Sequence, residues 1–405
     1  MNMKIAKRLL SAALLLALCL SLCACETYDN FYNEFFADRN NDVPSLRIGV
    51  FEPVTGPDSE AAAEEISGIE LAHQLYGSVL GYRVDLVYAD NQSDTELAAQ
   101  VAQELVEKEV SVVLGSCKSM LSLAASDVFT ASKVPAIGIT CTNPLLTQTN
   151  EYYFRVCYPD SYEGSSAASY IYKGLDQAGA AVLKMAEDDY AQTIIEEFEK
   201  TMTKLTGDDH SVTVIEYPQG TENFTVYLNR LLNTGCGAVF FPSSPQVGAE
   251  VVRQARAGGY TFDWIGTSSW ASLTAAPEDY GEDGNYYLND VYYVQDTDFA
   301  RVETPMERVF VAEYKKLYGQ DAEPSEAAAL GFDAYLLALQ GIEDAGTPED
   351  PALIAVKLKS VYEMEGATGN ISLNSQGDPI KDVIIEKIRM DASNSVYTIS
   401  PEWGE

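Results

Sequence analysis

The residues best placed to do chemistry are hydroxyls that follow apolar strand-like runs. Gly115-Ser116-Cys117-Lys118-Ser119 comes directly after Leu114 and leads into an amphipathic stretch. A Ser at a helix start is a capping residue. The same geometry, open N–H groups beside a hydroxyl, receives a carboxylate where it faces a cleft. After Ile139 comes a second polar exit, Thr140-Cys141-Thr142-Asn143-Pro144. Its hydroxyls and carbonyls either meet the same ligand or form a Pro-fixed turn. Bond-making chemistry has little to work with. A nucleophilic Ser needs a base beside it, and Lys118 and Ser119, adjacent on a helix start, do not face each other. There are two histidines, His73 on a helix face and His210 in a polar loop, and no GxSxG, HExxH or GxxxxGK[ST] run. His-dependent triads and His-ligated metals therefore lose their support.

The elements that position these exits alternate in kind. Strands read at 46–50, 83–88, 110–115 and 134–139, with helices near 64–76, 95–108 and 120–132 between them. The second helix is the best marked: Ser93-Asp94-Thr95-Glu96 reads as a capping box, and Leu97, Val101, Leu105 and Val106 follow at helical spacing. The alternation restarts after about residue 160. Strands follow at 180–185, 212–217, 238–241 and 262–266, and helices near 191–205, 225–233 and 247–257. Regular strand–helix alternation predicts a parallel sheet covered by helices on both faces, and here it predicts two of them. Two long helical patterns, 304–318 and 325–345, have no strand between them and are expected to return to the first lobe. Open parallel sheets bind ligands beyond their strand C-terminal ends, so two such lobes make a cleft.

The chain's ends and charge bound its setting. Lys4, Lys7 and Arg8 precede the apolar run Leu9 to Leu22, which ends at Cys23-Ala24-Cys25. That is the layout of a secretory leader, shorter than a membrane-spanning helix requires. Glu26 to Pro44 is polar and acidic, with Tyr28, Phe31, Tyr32, Phe35 and Phe36 at no sustained period, and reads as a tether. The formal charge is −35, and loss of the leader removes three further positive charges. Such a chain does not bind nucleic acid through phosphates. A hydrophobic content of 46% excludes a disordered polyanion. Cys117, Cys141, Cys157 and Cys236 form neither a CxxC pair nor a zinc pattern, and leave open either buried thiols or one disulfide among the first three.

Several segments, in order, resemble the leucine/isoleucine/valine-binding protein family. They begin with Val54-Thr55-Gly56-Pro57, Ser67-Gly68-Ile69-Glu70-Leu71-Ala72 and the strand exit Val84 to Asp94. Gly115 to Ser119, Ala125-Ser126-Asp127, Val134-Pro135, and Phe154-Arg155 with Asp160 continue the match. Asp189-Tyr190 and Arg253 to Gly259 carry it into the second half. Leu22-Cys23-Ala24-Cys25 resembles a bacterial lipobox, which implies lipidation of Cys25. The resemblance implies the type I periplasmic-binding-protein fold: an α/β protein of two doubly wound parallel-sheet lobes joined by a three-strand hinge. Crossovers would fall near 158–161, 294–302 and 370–377. The divisions are then a leader at 1–24, a tether at 25–44, a first lobe of 45–159 with 300–372, and a second of 160–299 with 373–401.

The resemblance also implies roles. Residues at the Ser119 and Thr142 positions hold the ligand carboxylate and amine, helped by backbone at Thr140, and Tyr190 closes from the second lobe. Two departures stand out. The family's amine-binding carboxylate follows the strand ending Trp264-Ile265-Gly266, where this chain has Thr267-Ser268-Ser269-Trp270. Its second-lobe aromatic after Phe241 is replaced by Pro242-Ser243-Ser244-Pro245. Ser268, Ser244 and Trp270 are thus the ligand-facing candidates there, with Asp160, Asp188 or Asp189 as substitute counter-charge. The expectation is a monomeric, non-enzymatic solute-binding lipoprotein, without cofactor or metal, that delivers an amino acid, amide or small carboxylate to an ABC permease and ATPase. A lipid-anchored sensor is the alternative.

Overall fold

The computed structural model describes residues 43–148, 150–274, 281–282, 285–295, 304–380, 384–391 and 396–403. The leader, Cys25 and most of the tether lie outside them. The chain opens with β1 (Ser45–Glu52), α1 (Ser59–Leu75), β2 (Ser78–Val79), β3 (Tyr82–Asp90) and α2 (Thr95–Glu107). It continues through β4 (Val112–Leu114), α3 (Ser119–Ser132), β5 (Ala136–Gly138), α4 (Leu145–Gln148) and β6 (Tyr153–Arg155). Then come α5 (Asp160–Lys173), β7 (Ala180–Met185), α6 (Asp189–Thr206), β8 (Val212–Tyr217) and α7 (Thr225–Thr234). Next are β9 (Ala238–Phe240), α8 (Pro245–Ala257), β10 (Asp263–Gly266), a 3₁₀ turn at Ser268–Thr274, β11 (Gly281–Glu282), β12 (Asn285–Tyr286) and β13 (Val291–Gln295). After α9 (Pro305–Tyr318), α10 (Glu326–Ala345) and α11 (Pro351–Leu358) come the short strands β14 (Met364–Gly366), β15 (Gly369–Leu373) and β16 (Pro379–Ile380). The last two strands are β17 (Ile384–Asp391) and β18 (Val396–Trp403).

Each lobe is built on one main sheet with a core on each face, and β14, β15 and β16 form a small separate sheet. The first sheet runs β2-β3-β1-β4-β5-β6, and the second runs β18-β17-β13-β10-β9-β7-β8. Alternate side chains along a strand point to opposite faces, and the apolar runs use both. Ile48, Val50, Val112 and Leu114 pack under α1 and α10, whereas Phe51 and Val113 pack under α2 and α3. Ala181 and Leu183 face one core of the second sheet, and Ala180 and Val182 face the other. This is why the strands read as unbroken apolar runs rather than alternating ones. Phe310 and Phe332, from α9 and α10, pack in the same core as Ile48 and Val50.

Two details differ from the sequence reading, and a third settles a choice it left open. The sheets are not purely parallel: β2 pairs antiparallel with β3, and β17 and β18 extend the second sheet antiparallel. The cap of α2 is Asp94, which accepts from Glu96 N and Leu97 N, while Ser93 Oγ accepts from Asp58 N. The capping box is instead at Thr304 and Glu307, at the start of α9. Cys117, Cys141, Cys157 and Cys236 form no disulfide among the described residues.

One buried arginine ties the crossover segments together. Arg155, at the end of β6, has no exposed surface and lies with Nε 2.7 Å from Asp378 Oδ1. It donates to Cys141 O at 2.8 Å and to Thr147 Oγ1 at 2.7 Å, and its own N–H reaches Gly377 O at 3.0 Å. The exit carrying Thr142 is thereby fixed both to β6, which leads to α5, and to the returning segment before β17.

Candidate functional site

The first lobe offers its exits from β4 and β5. Ser119 is the first residue of α3, and its Oγ accepts the Asn143 N–H at 3.2 Å, joining the two exits. Two N–H groups just before the helix are already engaged: Ser116 N–H goes to Ser122 Oγ at 3.1 Å and Cys117 N–H to Glu52 at 2.8 Å. Thr140 turns its hydroxyl inward, 2.5 Å from Glu65 Oε1. Thr142 faces the other lobe. Its carbonyl accepts the Asp160 N–H at 2.9 Å, so this exit meets the start of α5 directly.

From the second lobe α5 brings two acids to the same place. Asp160 and Glu163 stand three apart in the first turn and so share a helix face. Glu163 Oε1 accepts the Ser268 N–H at 2.9 Å, and its Oε2 lies 3.5 Å from the Tyr190 hydroxyl. The helices come close because residue 164 is Gly, where a Cβ would collide with Ile194 O of α6. Glu163 is buried, and Tyr190, 49% exposed, is where the cluster opens to solvent. Burial pushes the Glu163 carboxyl up to about 7, with the Ser268 and Tyr190 hydrogen bonds opposing and Asp160 adding to the rise. Burial raises Asp160 as well, against the Thr142 hydrogen bond.

The structure thus brings Thr142, Asp160, Tyr190 and Ser268 together through contacts. Trp270 does not join them, a correction to its placement over the ligand. Its ring is fully enclosed in the second lobe's core against Phe241, and Nε1 donates to Ser243 O at 3.0 Å. Gly248 and Gly266 leave the room that so large a side chain needs there. Ser244 is an exposed residue at the start of α8 whose carbonyl takes the Gly248 N–H. Asp188 caps α6 through the Ala191 N–H at 3.0 Å, and the Asp189 side chain lies outside the described residues.

Residues 45–392 match the family described as periplasmic binding protein. The chain belongs to that family. It has the two-lobed α/β architecture of a type I periplasmic binding protein. It is 25% identical over 354 residues to the leucine-, isoleucine-, valine-, threonine- and alanine-binding protein of Pseudomonas aeruginosa, covering 85% of this chain and 89% of that one. A Leu/Ile/Val-binding protein homolog of Brucella melitensis is 23% identical over 341 residues, 82% of this chain and 88% of the relative. Among solved structures, a leucine-binding protein from Thermotoga maritima superposes with a TM-score of 0.67 at 28% identity, over 89% of this chain and 98% of that one. Membership groups the protein with extracytoplasmic binding proteins. No helix among the described residues is long and apolar enough to cross a membrane.

Glu163 is the cleft residue that sequence reasoning missed. An acid in the first turn of a helix is ordinarily explained by the macrodipole, and nothing local separates Glu163 from that role. The available signal was its spacing from Asp160 on one face. Of metal-binding clusters, none of three or more candidate ligands occurs among the described residues.

Proposed function

We propose that this binding protein captures an amino acid, or a related small molecule carrying an ammonium group, and delivers it to an ABC permease and ATPase. The observation that carries this reading is Glu163. A ligand ammonium needs a counter-charge, and Ser268 stands where the sequence comparison expects one. The Glu163 carboxylate lies against the Ser268 N–H at 2.9 Å, so a negative charge occupies that end of the cleft from a different element. Ser119 and Thr142, across from it, supply hydroxyls for the carboxylate end. A buried carboxylate is costly when unpaired, and a bound ammonium relieves that cost. The Pseudomonas and Thermotoga relatives, both named for binding leucine, agree with an amino-acid ligand. Binding without chemistry is part of the proposal: Ser119 Oγ takes the Asn143 N–H, and no base is bonded to it among the described residues.

Thermal shift tests it with amino acids beside their amides and their 2-hydroxy acid analogues. A ligand at a hundred times its Kd stabilises by about 2.7 kcal/mol, a rise of several degrees in a protein of this size. Amino acids should raise the melting temperature and the hydroxy acids should not. Equal shifts from both classes would remove the ammonium from the proposal.

A further inference from the structure

Beneath the first-lobe exits lie two carboxyl groups that ligand capture does not use. Glu52 ends β1 and Glu65 lies within α1, with 0% and 1% exposure. Glu52 Oε2 accepts the Cys117 N–H at 2.8 Å and the Ser116 hydroxyl at 3.3 Å. Glu65 Oε1 accepts the Thr140 hydroxyl. The remaining oxygens, Glu52 Oε1 and Glu65 Oε2, are buried with no donor from elsewhere among the described residues. The two carboxyls are neighbours: Thr140 Oγ1, which donates to Glu65, lies 3.3 Å from Cys117 O, and the Cys117 N–H donates to Glu52. Two ionised carboxylates so placed would repel and leave both oxygens unpaired, whereas one proton between them satisfies both.

We propose that Glu52 and Glu65 share a proton, and that this bond locks the strand exits at 115–119 and 140–144 to each other, so that ligand affinity depends on its retention. The affinity part rests on the reading that these exits receive the ligand; the proton itself does not. Glu52 holds one exit through Ser116 and Cys117, and Glu65 holds the other through Thr140. Gly115 admits the contact, since a Cβ there would collide with Phe51 O and Glu52 Oε1.

The surroundings favour retention of the proton. Burial, then the charge of Glu65, raises Glu52 well above the ordinary carboxylate range, and burial raises Glu65 to about 7. Glu64 of α1 adds to the rise, and Lys118, itself 3.5 Å from Asp58, opposes it. Burial also raises Cys117, Cys141 (to about 12) and Tyr153, which feel the same carboxylates, while Arg155 acts on Cys141 from β6. Both folded values exceed the ordinary 4.5, so the fold binds more protons than the unfolded chain. The pair's stabilisation is complete below about 4.5, falls as pH rises through 7, and falls further as the last proton leaves.

The test follows ¹³C-labelled Glu carboxyls and the Cys117 amide by NMR, from pH 5 to 10, in the ligand-free protein. Two carboxyls should titrate above the ordinary range, and the Cys117 amide should move with them. Glu52→Gln, whose amide donates permanently toward Glu65, should abolish that movement. Glu carboxyls all ionised by pH 6 would overturn the shared proton, and this readout needs no variant to fold. With L-leucine as probe, Kd should weaken between pH 7 and 9 by at least about fivefold more in wild type than in Glu52→Gln. Parallel curves would overturn the locking role while leaving the amino-acid reading intact. Failure of leucine to bind either protein would count against leucine as ligand, and the NMR titration would still decide the pair.

Discussion

Glu163→Gln separates the proposed counter-charge from a structural role. The substitution keeps the side chain's length and an acceptor for the Ser268 N–H, and removes the negative charge. A hydrogen bond to a charged group is worth about 1.5–3 kcal/mol, so an ammonium ligand should bind about tenfold to a hundredfold more weakly. The carboxyl's value of about 7 gives a second readout. Only the ionised form attracts a cation, so at pH 6 about a tenth of the protein is competent and wild-type affinity is about tenfold below its plateau. Affinity should therefore rise between pH 5.5 and 7 in wild type and stay flat over that range in Glu163→Gln. Stability should move the other way. The folded value lies above the ordinary 4.5, so ionising buried Glu163 costs the fold up to about 3 kcal/mol once pH exceeds 7. Glu163→Gln should then melt higher than wild type at pH 8 while binding more weakly. Calorimetry and thermal melts on the same samples read both. Affinity within twofold of wild type, with an unchanged pH profile, would refute the assignment.

Arg155→Met should cost about 3–5 kcal/mol in urea unfolding, because it leaves Asp378 buried and unpaired; a loss below 1 kcal/mol would show that the pair is not a lock. Trp270→Phe should cost about 1–3 kcal/mol through the unpaired Ser243 carbonyl and lost volume, with affinity unchanged; a large affinity loss would return Trp270 to the ligand. Thr142→Ala should weaken binding about tenfold to a hundredfold and Ser119→Ala less, with Ser126→Ala as a silent control; wild-type affinity in both would remove the first-lobe exits from the site. Cys25→Ala should release the protein from membranes or leave it unprocessed, read by fractionation and mass spectrometry; unchanged acylation would exclude Cys25 as the lipid site.

The two-lobed architecture was legible because it is written in local patterns. The strand at Val212–Tyr217 and the helix beginning at Thr95 have apolar periods that burial on a sheet reproduces residue by residue. The elements that escaped notice are those whose pattern is tertiary. The helix Asp160–Lys173 carries Ser, Gly, Ala and Tyr, small or amphipathic residues chosen by its close contact with the next helix rather than by an apolar stripe. The strand Val291–Gln295 is apolar on both faces and short, and β17 pairs with it antiparallel, unlike the parallel pairs from β13 through β8. At the site, exit hydroxyls were legible because strand ends are. Trp270 was misplaced because sequence position does not reveal that Gly248 and Gly266 open a core cavity for it. Glu52, Glu65 and Glu163 were illegible as buried acids, since an acid in an amphipathic stretch ordinarily faces water.

Those three acids bear on binding with opposite signs. Glu163 touches the proposed ammonium site and must lose its proton to act, so it sets an acidic limb that ends near 7. Glu52 and Glu65 lie behind the opposite wall and act by keeping a proton, so they set an alkaline limb. Affinity should consequently peak near neutral pH, with Glu163→Gln flattening only the acidic side and Glu52→Gln only the alkaline side. The double variant tests independence: the two sites act on different lobes through no shared partner, and their effects should add. A double variant that departs from additivity by more than about 0.5 kcal/mol would mean that the exit at Thr142, which bonds Asp160 across the cleft, transmits one proton's state to the other.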